Sequence, residues 1–226
     1  MMHVRAAVFA TLAVLLAGGI AWAQTTSGAP PVSAAAPAVQ PAPETEKAWS
    51  FSASAYTYVL PDEPNYVQPT FSADRGWLHL EGRFNYEDLD TGSAWFGYNV
   101  SVGETVTLDI TPMVGVVFGN TTGIAPGYKG SLGWRRLALS SETEFVIDTG
   151  SSADSFLYTW SEFEAAPVDW CRFGLVLQRT KVYQTEFDIQ RGFFVGVSYK
   201  GLDVTAYVFN PDASRPTVVV GVGLSF

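Results

Sequence analysis

The last ten residues of the chain alternate between two kinds of side chain. Large apolar groups occupy every second position, and the positions between them hold Val219, Gly221, Gly223 and Ser225. The large apolar positions are Val218, Val220, Val222, Leu224 and Phe226. Because successive side chains of a β-strand point to opposite faces, one face of this strand is apolar and the other is mostly small. The pattern predicts a strand in a wall that separates lipid from a lumen.

An alternating apolar strand with an aromatic last residue resembles the terminal strand of bacterial outer-membrane β-barrel proteins of the porin-like kind. The resemblance implies an all-β fold, a transmembrane antiparallel up-and-down β-barrel. It also implies that the alternating residues up to Phe226 form the signal that the barrel assembly machinery reads. The expected partners are therefore this machinery, outer-membrane lipid and lipopolysaccharide. The resemblance leaves the oligomeric state open.

The beginning of the chain indicates export. Residues 1–23 contain a short basic region, an apolar stretch and the small-x-small sequence Ala21-Trp22-Ala23, which together predict a cleaved secretory signal peptide. An uncleaved membrane helix is the alternative, because the apolar run is close to the length that spans a bilayer. Residues 24–47 are rich in Ala and Pro, so we expect a disordered periplasmic tail there. Residues 48–226 then form the barrel, and the expected location is the bacterial outer membrane.

The composition fits a wall in contact with lipid. Charged residues make up 15% of the chain, against roughly 25% in soluble domains, and apolar residues make up 47%. The formal net charge of −9 argues against nucleic acid, whose phosphates require a basic surface. Residues 24–226 contain one histidine, His79, and one cysteine, Cys171, too few for a typical transition-metal site. We therefore predict no metal and no cofactor.

From residue 48 onward, alternation and turn residues predict twelve strands, with ten as the alternative. Single-chain bacterial barrels have an even number of strands, and for this reason we divide the segment 128–148 at Gly133-Trp134. Pro112 cannot donate a ladder hydrogen bond and predicts a bulge. Arg179 and Lys181 would follow the apolar face of their strand unless a bulge resets the alternation. Short connections are predicted to be periplasmic. Longer polar connections are predicted to be external, and they include residues 88–93, 120–127 and 185–191.

Four tryptophans lie near the predicted periplasmic strand ends. They are Trp49, Trp77, Trp134 and Trp170. Amphipathic rings prefer the headgroup level of a membrane, so this clustering predicts one aromatic girdle, whereas the core of a soluble sandwich would scatter them.

If the apolar face of each predicted strand points outward to lipid, the opposite faces place charged side chains in the lumen. The candidates are His79, Glu81, Arg83, Asp109, Glu142, Glu144, Glu162, Glu164, Arg172 and Asp203. Acids outnumber bases among them, and rings of acids favour cations. The same residues could instead form a salt-bridge network that fills the barrel. Barrels of about eight strands are filled by side chains and barrels of roughly sixteen leave a channel, so twelve strands allow either arrangement.

The predicted function is passive diffusion of small cationic or neutral solutes. Twelve-stranded barrels that pass acidic sugars carry basic lumens, and this acidic set departs from that pattern. The first alternative is a non-conducting structural or adhesion barrel with an ion-paired lumen. The second is a lipid-modifying enzyme in which Glu81 orients His79, although no motif identifies a nucleophile. We therefore predict no catalytic residue.

Overall fold

The computed structural model describes residues 48–61, 63–150, 155–182 and 188–226. The predicted signal peptide (residues 1–23) and the predicted tail (residues 24–47) lie outside these ranges. Within the described ranges, no helix has the length and apolarity needed to cross a membrane.

The described residues form thirteen β-strand segments joined by turns and loops. The segments are β1 (Ser50–Val59), β2 (Tyr66–Arg75), β3 (Leu78–Phe84), β4 (Thr91–Tyr98), β5 (Val100–Val102), β6 (Val106–Gly119), β7 (Gly123–Trp134), β8 (Leu137–Asp148), β9 (Phe156–Val168), β10 (Cys171–Val182), β11 (Asp188–Tyr199), β12 (Leu202–Phe209) and β13 (Thr217–Ser225).

Consecutive strands pair antiparallel, except for β4 and β5, and two further pairings, β1 with β13 and β4 with β6, close the sheet. β1 pairs with β13, with Ala53 opposite Leu224. β4 and β5 both pair with β6 in one continuous register, so they are two parts of a single strand that is interrupted at Asn99. The sheet is therefore a closed, twelve-stranded, up-and-down barrel without free sheet edges along most of its wall. This confirms the predicted fold class and excludes the ten-stranded alternative.

The interruption at Asn99 lies beside Pro112 of β6. The register is the same on both sides of the gap, so the bulge predicted at Pro112 is wrong. Because proline has no N–H, the ladder is interrupted there without an extra residue. Side chains connect the gap instead: Thr111 Oγ1 donates to Asn99 Oδ1 at 2.7 Å, and Asn99 Nδ2 donates to Asp74 Oδ1 at 2.7 Å.

The alternation of β10 is not reset near residue 179. Its register against β9 shifts only at the start of the strand, between Cys171 and Phe173. Leu177 and Arg179 are therefore both exposed on the outer face of the barrel. A charged side chain thus lies on the wall that the sequence predicts to face lipid.

The two ends of the barrel differ in their connections. At one end, which we call the short-turn end, residues 76–77, 103–105, 135–136, 169–170 and 200–201 make tight turns. Lys200 and Gly201 both have positive φ, 49° and 83°, as a two-residue hairpin turn of type I′ requires. β1 begins and β13 ends here. The other end, the long-loop end, carries most of the longer connections, including residues 85–90 and 210–216.

Three strands begin earlier than the sequence indicates. β4 begins at Thr91, inside a loop predicted over residues 88–93, and β11 begins at Asp188, inside a loop predicted over residues 185–191. β7 begins at Gly123, and the loop predicted over residues 120–127 shrinks to residues 120–122. Ile124 is exposed and Ala125 is buried, so alternation is present in this part of β7. The Gly and Pro residues at the start of β7 led to the prediction of a loop there.

The outer surface is apolar over most of its height, and the inner positions are buried. Along β13, Val220, Val222 and Leu224 are exposed on the outside, whereas Val219 is fully buried. β6 follows the same rule, with Val114 and Val116 outside and Val117 inside. Apolar side chains that are exposed on every strand would be unfavourable in water, and they identify the wall as a membrane-spanning one.

A group of hydroxyls interrupts this apolar surface on β7, β8 and β9. Ser141 Oγ lies 3.1 Å from Ser161 Oγ, and Thr143 Oγ1 lies within hydrogen-bond distance of Thr159 Oγ1 at 3.2 Å and of the Tyr128 hydroxyl at 3.4 Å. Because the hydroxyls bond to one another, their polar atoms are satisfied on an outward face.

Candidate functional site in the barrel interior

The first of two charged clusters in the interior is centred on Arg83. Alternation along β3 points His79, Glu81 and Arg83 inward, and all three are buried. Arg83 Nη1 donates to Glu144 Oε2 at 2.9 Å, and Arg83 Nη2 lies 2.7 Å from Glu142 Oε1. Arg83 Nε also donates to Glu81. One guanidinium therefore joins three carboxylates from β3 and β8.

Lys129 on β7 is the second cation of this cluster. Its Nζ contacts Glu81 and lies 3.8 Å from Glu142 Oε2. The Arg83 guanidinium also lies over the rings of Tyr86 and Trp95, at 4.1 and 4.5 Å from their centroids. Ring faces stabilise a cation that has lost its water, so the aromatic contacts support the same charge.

Glu87 adds a fourth carboxylate from the loop between β3 and β4. Its side chain is fully buried, and Oε1 accepts hydrogen bonds from Ser93 Oγ at 2.5 Å and from Trp95 Nε1 at 3.2 Å. Its Oε2 has no hydrogen-bond partner among the described residues. Burial raises the pKa of the Glu87 carboxyl. We call this group the Arg83 cluster. It consists of Glu81, Arg83, Glu87, Lys129, Glu142 and Glu144.

His79 lies at the edge of the Arg83 cluster, toward the short-turn end. Its Nδ1 is 2.8 Å from Asp74 Oδ1, and its Nε2 is 3.5 Å from Glu81 Oε2. A hydrolytic histidine needs a nucleophile at one ring nitrogen and an orienting group at the other. Here a carboxylate faces each nitrogen, which is the arrangement of a structural bridge.

The second charged cluster is centred on Arg172 of β10. Arg172 Nη1 donates to Glu164 Oε2 at 3.1 Å, and Nη2 donates to Asp203 Oδ1 at 2.8 Å. Arg172 Nη2 also donates to Thr205 Oγ1, and Ser198 Oγ donates to Asp203 Oδ2 at 2.7 Å. The guanidinium thus bonds to β9 on one side and to β12 on the other.

Glu162 connects the residues around Arg172 to a set of buried rings. It accepts a hydrogen bond from Trp160 Nε1 at 2.8 Å, and it is itself buried. We define the Arg172 cluster as Glu162, Glu164, Arg172, Asp203 and Thr205. Asp109 is separate from both clusters; it is half-buried near the short-turn end and accepts a hydrogen bond from Ser131 Oγ at 3.4 Å.

Aromatic rings fill the interior toward the long-loop end. Trp160 meets Phe209 edge-on with 5.2 Å between centroids, and Tyr58 stacks on Tyr66 at 4.7 Å. We call this set the aromatic layer. It comprises Tyr58, Tyr66, Tyr86, Tyr158, Trp160, Tyr207 and Phe209.

The interior is packed at the levels of the two clusters and of the aromatic layer. The exposed fraction is 6% for His79 near the short-turn end and 0% for Tyr58, Tyr158 and Phe209. A water-filled channel would leave inward side chains accessible to solvent. In this conformation, side chains therefore close the lumen at these levels.

All ten positions that the sequence assigns to the lumen lie on inward faces. Five of them gather around Arg83, four belong to the Arg172 cluster, and Asp109 stands apart. Lys129 and Glu87 were not predicted from the sequence. Lys129 lies on β7, whose alternation is masked by Gly and Pro, and no local pattern indicates that Glu87 turns inward from its loop.

The four tryptophans of the predicted girdle are all exposed at the short-turn end. They are Trp49, Trp77, Trp134 and Trp170. The C-terminal Phe226 lies at the same end, where it stacks on Phe51 with 5.9 Å between centroids. The arrangement is a partial ring of aromatic groups at one level of the wall, and its role as a membrane girdle stays a prediction.

Solved structures with a similar fold include two structures of a KdgM porin. This chain is similar to a KdgM porin, with a TM-score of 0.58 and 13% sequence identity over 77% of this chain and 99% of the porin. A KdgM porin in complex with disordered oligogalacturonate gives a TM-score of 0.58 and 11% identity over 78% and 99% of the two chains. A scan of protein-family models and a search of curated proteins gave no match. At this identity, the similarity shows the barrel fold alone.

Proposed function

We propose that this chain is an outer-membrane channel through which small cationic or neutral solutes diffuse passively. The observation that carries the proposal is a closed barrel with an apolar outer face around an interior in which carboxylates exceed cations. In this proposal the short-turn end faces the periplasm and the long-loop end faces outward.

The apolar outer face supports a membrane location. A closed barrel pairs the backbone groups along nearly all of its wall, which the hydrocarbon core of a bilayer requires. The exposed side chains of β6 and β13 are Val, Leu, Ile and Phe over most of their length. The predicted signal peptide agrees with export to the outer membrane.

The balance of charge supports the choice of solute. In the Arg83 cluster, four carboxylates surround Arg83 and Lys129, and in the Arg172 cluster three carboxylates surround one guanidinium. An acidic path raises the local concentration of cations and repels anions. The KdgM porin was solved with oligogalacturonate, a polyanion, and the acidic interior makes such a solute unfavourable here.

Because side chains close the lumen in this conformation, a channel with this interior conducts only after a conformational change. The aromatic layer closes the conformation described here, so solutes pass only when rings such as Tyr158 and Phe209 move aside. We therefore propose a channel of low open probability and small conductance.

The burial of the inward side chains favours a second candidate, a non-conducting barrel. In that case the Arg83 and Arg172 clusters are internal braces, and the protein acts as a structural element of the membrane. The two candidates share the fold and differ in conductance.

Single-channel recording separates them. The protein is refolded in detergent, inserted into a planar bilayer and recorded across a salt gradient. A channel gives discrete steps with a cation-biased reversal potential, and Tyr158→Ala increases the open probability by thinning the aromatic layer. Phe163→Ala, an outward change on the same strand, is the matched control and leaves conductance unchanged. Heat-modifiable, folded protein that never conducts, with or without Tyr158→Ala, would establish the non-conducting barrel.

A further inference from the structure

β5 leaves part of the sheet edge uncovered at the short-turn end. Within the described residues, β5 (Val100–Val102) pairs with β6 on one side and has no strand on the other. The adjacent strand β3 reaches only to the level of Tyr98, and the next bond on that side runs from Asn99 N–H to Trp77 O at 2.7 Å. Every second residue of a strand turns its N–H and C=O to the same neighbour, so those of Ser101 also point to the uncovered side.

A notch of about 850 Å³ lies next to this edge. Its lining includes Ser101 of β5, Trp77 of the turn between β2 and β3, and Trp49 just before β1. Because β2 and β3 separate β1 from β4 in the sheet, three strand spacings, about 14 Å, lie between β1 and β5 across the notch. The notch therefore has room for one further extended strand beside β5.

The uncovered edge specifies what can pair with it. Val100 and Val102 are exposed on the outer side of the wall, and Ser101 between them faces the other way. Side chains that lie directly opposite each other on paired strands are in contact, so an added strand needs apolar, polar and apolar residues in turn. Uncovered edges are templates for pairing, and proteins usually cover or block them. We therefore expect a segment of this pattern to lie in the notch.

The chain contains such a segment shortly before β1. Val39, Gln40 and Pro41 follow one another in the apolar, polar, apolar order. When Gln40 lies opposite Ser101, the two apolar residues that flank it lie beside the two valines of β5. The pattern thus indicates both the segment and its register.

The prolines near this segment are compatible with a strand at the edge of a sheet. Pro37, Pro41 and Pro43 all have odd positions, so the even positions between them keep their N–H groups. Because N–H groups alternate in direction along a strand, pairing of Gln40 with Ser101 turns the missing donors away from β5. The new outer edge would then lack donors at these positions and would be a poor template for further pairing.

The segment is also close enough to reach the edge. The described part of the chain begins at residue 48, next to Trp49, which lines the notch. A strand added to β5 lies two strand spacings, about 10 Å, from β1. Residues 43–47 connect the two, and five extended residues span up to about 17 Å.

We infer that residues 38–42 add to β5 as an antiparallel strand, with Gln40 opposite Ser101, and fill the notch. This part of the predicted tail then belongs to the sheet, and only the residues before it remain as a periplasmic tail. The added strand fixes the tail to the short-turn end of the barrel. The inference concerns the fold of the chain and does not depend on conductance.

Disulfide formation in the predicted mature chain, residues 24–226, tests the pairing. Gln40→Cys and Ser101→Cys are introduced together in a Cys171→Ser background, and the protein is refolded in detergent and oxidised. Directly opposite Cα atoms lie about 5.5 Å apart, a separation that a disulfide can bridge. We expect an intrachain disulfide in most molecules. Val39→Cys with Ser101→Cys is the matched control, and it should form the bond at least tenfold more slowly because its side chain points to the opposite face.

Proline substitution gives a second measurement that needs no cysteine. Gln40→Pro removes the N–H that bonds to Ser101 O, whereas Val39→Pro removes an N–H that points away from β5. Hydrogen exchange of the Ser101 amide, measured by mass spectrometry with single-residue resolution, should be at least tenfold faster in Gln40→Pro. Val39→Pro should exchange at the rate of the unchanged protein.

Three results would overturn the added strand. They are equal disulfide rates for the two cysteine pairs, equal exchange at Ser101 in all three proteins, and a disulfide that forms only between chains. The last is detected by refolding a mixture of Gln40→Cys and Ser101→Cys chains, and it would assign the edge to a second copy. A barrel that forms the intrachain bond and does not conduct would overturn only the proposed channel.

Discussion

Arg83 on β3 and Glu144 on β8 are 61 residues apart in the chain, yet Nη1 of the first donates to Oε2 of the second at 2.9 Å. On the shorter way around the wall, β4, β6 and β7 lie between them. Both side chains are buried. The pair therefore connects two separate parts of the wall through the interior, and the barrel's cross-section and its internal charges depend on each other.

Removing Arg83 should destabilise the barrel strongly. Arg83→Gln leaves Glu81, Glu142 and Glu144 buried with one fewer cation, and breaking a buried ion pair in this way costs about 3–5 kcal/mol. Urea unfolding of the refolded protein in detergent, followed by tryptophan fluorescence, measures the loss. We expect the unfolding midpoint to fall and the heat-modifiable form to be less populated.

An exposed pair provides the comparison. Arg136→Gln breaks an ion pair with Asp169 whose side chains are both largely in solvent, and such pairs contribute about 0–1 kcal/mol. If the two variants lost similar free energy of unfolding, Arg83 would not be the central brace of the interior.

The interior carboxylates should set the selectivity of the channel. Glu142→Gln/Glu144→Gln removes two negative charges and leaves Arg83 and Lys129 in place, so the bias toward cations should fall. The reversal potential across a tenfold salt gradient should move toward zero. Glu104→Gln, in an exposed short turn, should leave it unchanged. An unchanged reversal potential in the double variant would show that ions take another path.

The face of each strand could be predicted wherever alternation was uninterrupted. On β6 and β13 the apolar residues lie outside, as the period of two requires. β7 was assigned too short because Gly123, Pro126 and Gly127 resemble loop residues, whereas in the barrel the paired neighbouring strands hold them extended. Strand propensity is weaker than sheet context at such positions.

The partners inside the barrel could not be predicted. Which inward residue meets which depends on strand tilt and on the cumulative register around twelve strands, and neither is visible in one sequence. The sequence placed Arg83 and Glu144 on inward faces, but the contact between them requires the closed ring. Lys129 and Glu87 joined the same cluster without any local signal of their own.

The pH dependence of stability should reveal Glu87. Burial raises its pKa in the folded barrel, so the folded state holds a proton that the unfolded state releases first. The resulting stabilisation is complete below the ordinary glutamate pKa and is lost as the pH rises through the raised value. Unfolding midpoints measured from pH 4 upward should therefore decline less steeply in Glu87→Gln, whose amide stays neutral.

A surface glutamate separates this effect from general charge repulsion. Glu63→Gln, exposed in the first loop, removes the same formal charge without touching the interior. Its pH profile should follow that of the unchanged protein. Parallel profiles for all three proteins would show that Glu87 does not hold an extra proton in the folded state.

The last residue should matter more for assembly in the cell than for the finished barrel. Phe226 stacks on Phe51, and its backbone N–H donates to Phe51 O at 3.0 Å, a bond that any residue except proline could make. Phe226→Ala should therefore refold in detergent with a small loss of stability, while the amount of heat-modifiable barrel in outer-membrane fractions falls severalfold. Phe118→Ala, an exposed aromatic near the long-loop end of β6, is the control and should accumulate normally. Equal accumulation of both variants would mean that Phe226 is an ordinary residue of the wall and not part of the signal that the assembly machinery reads.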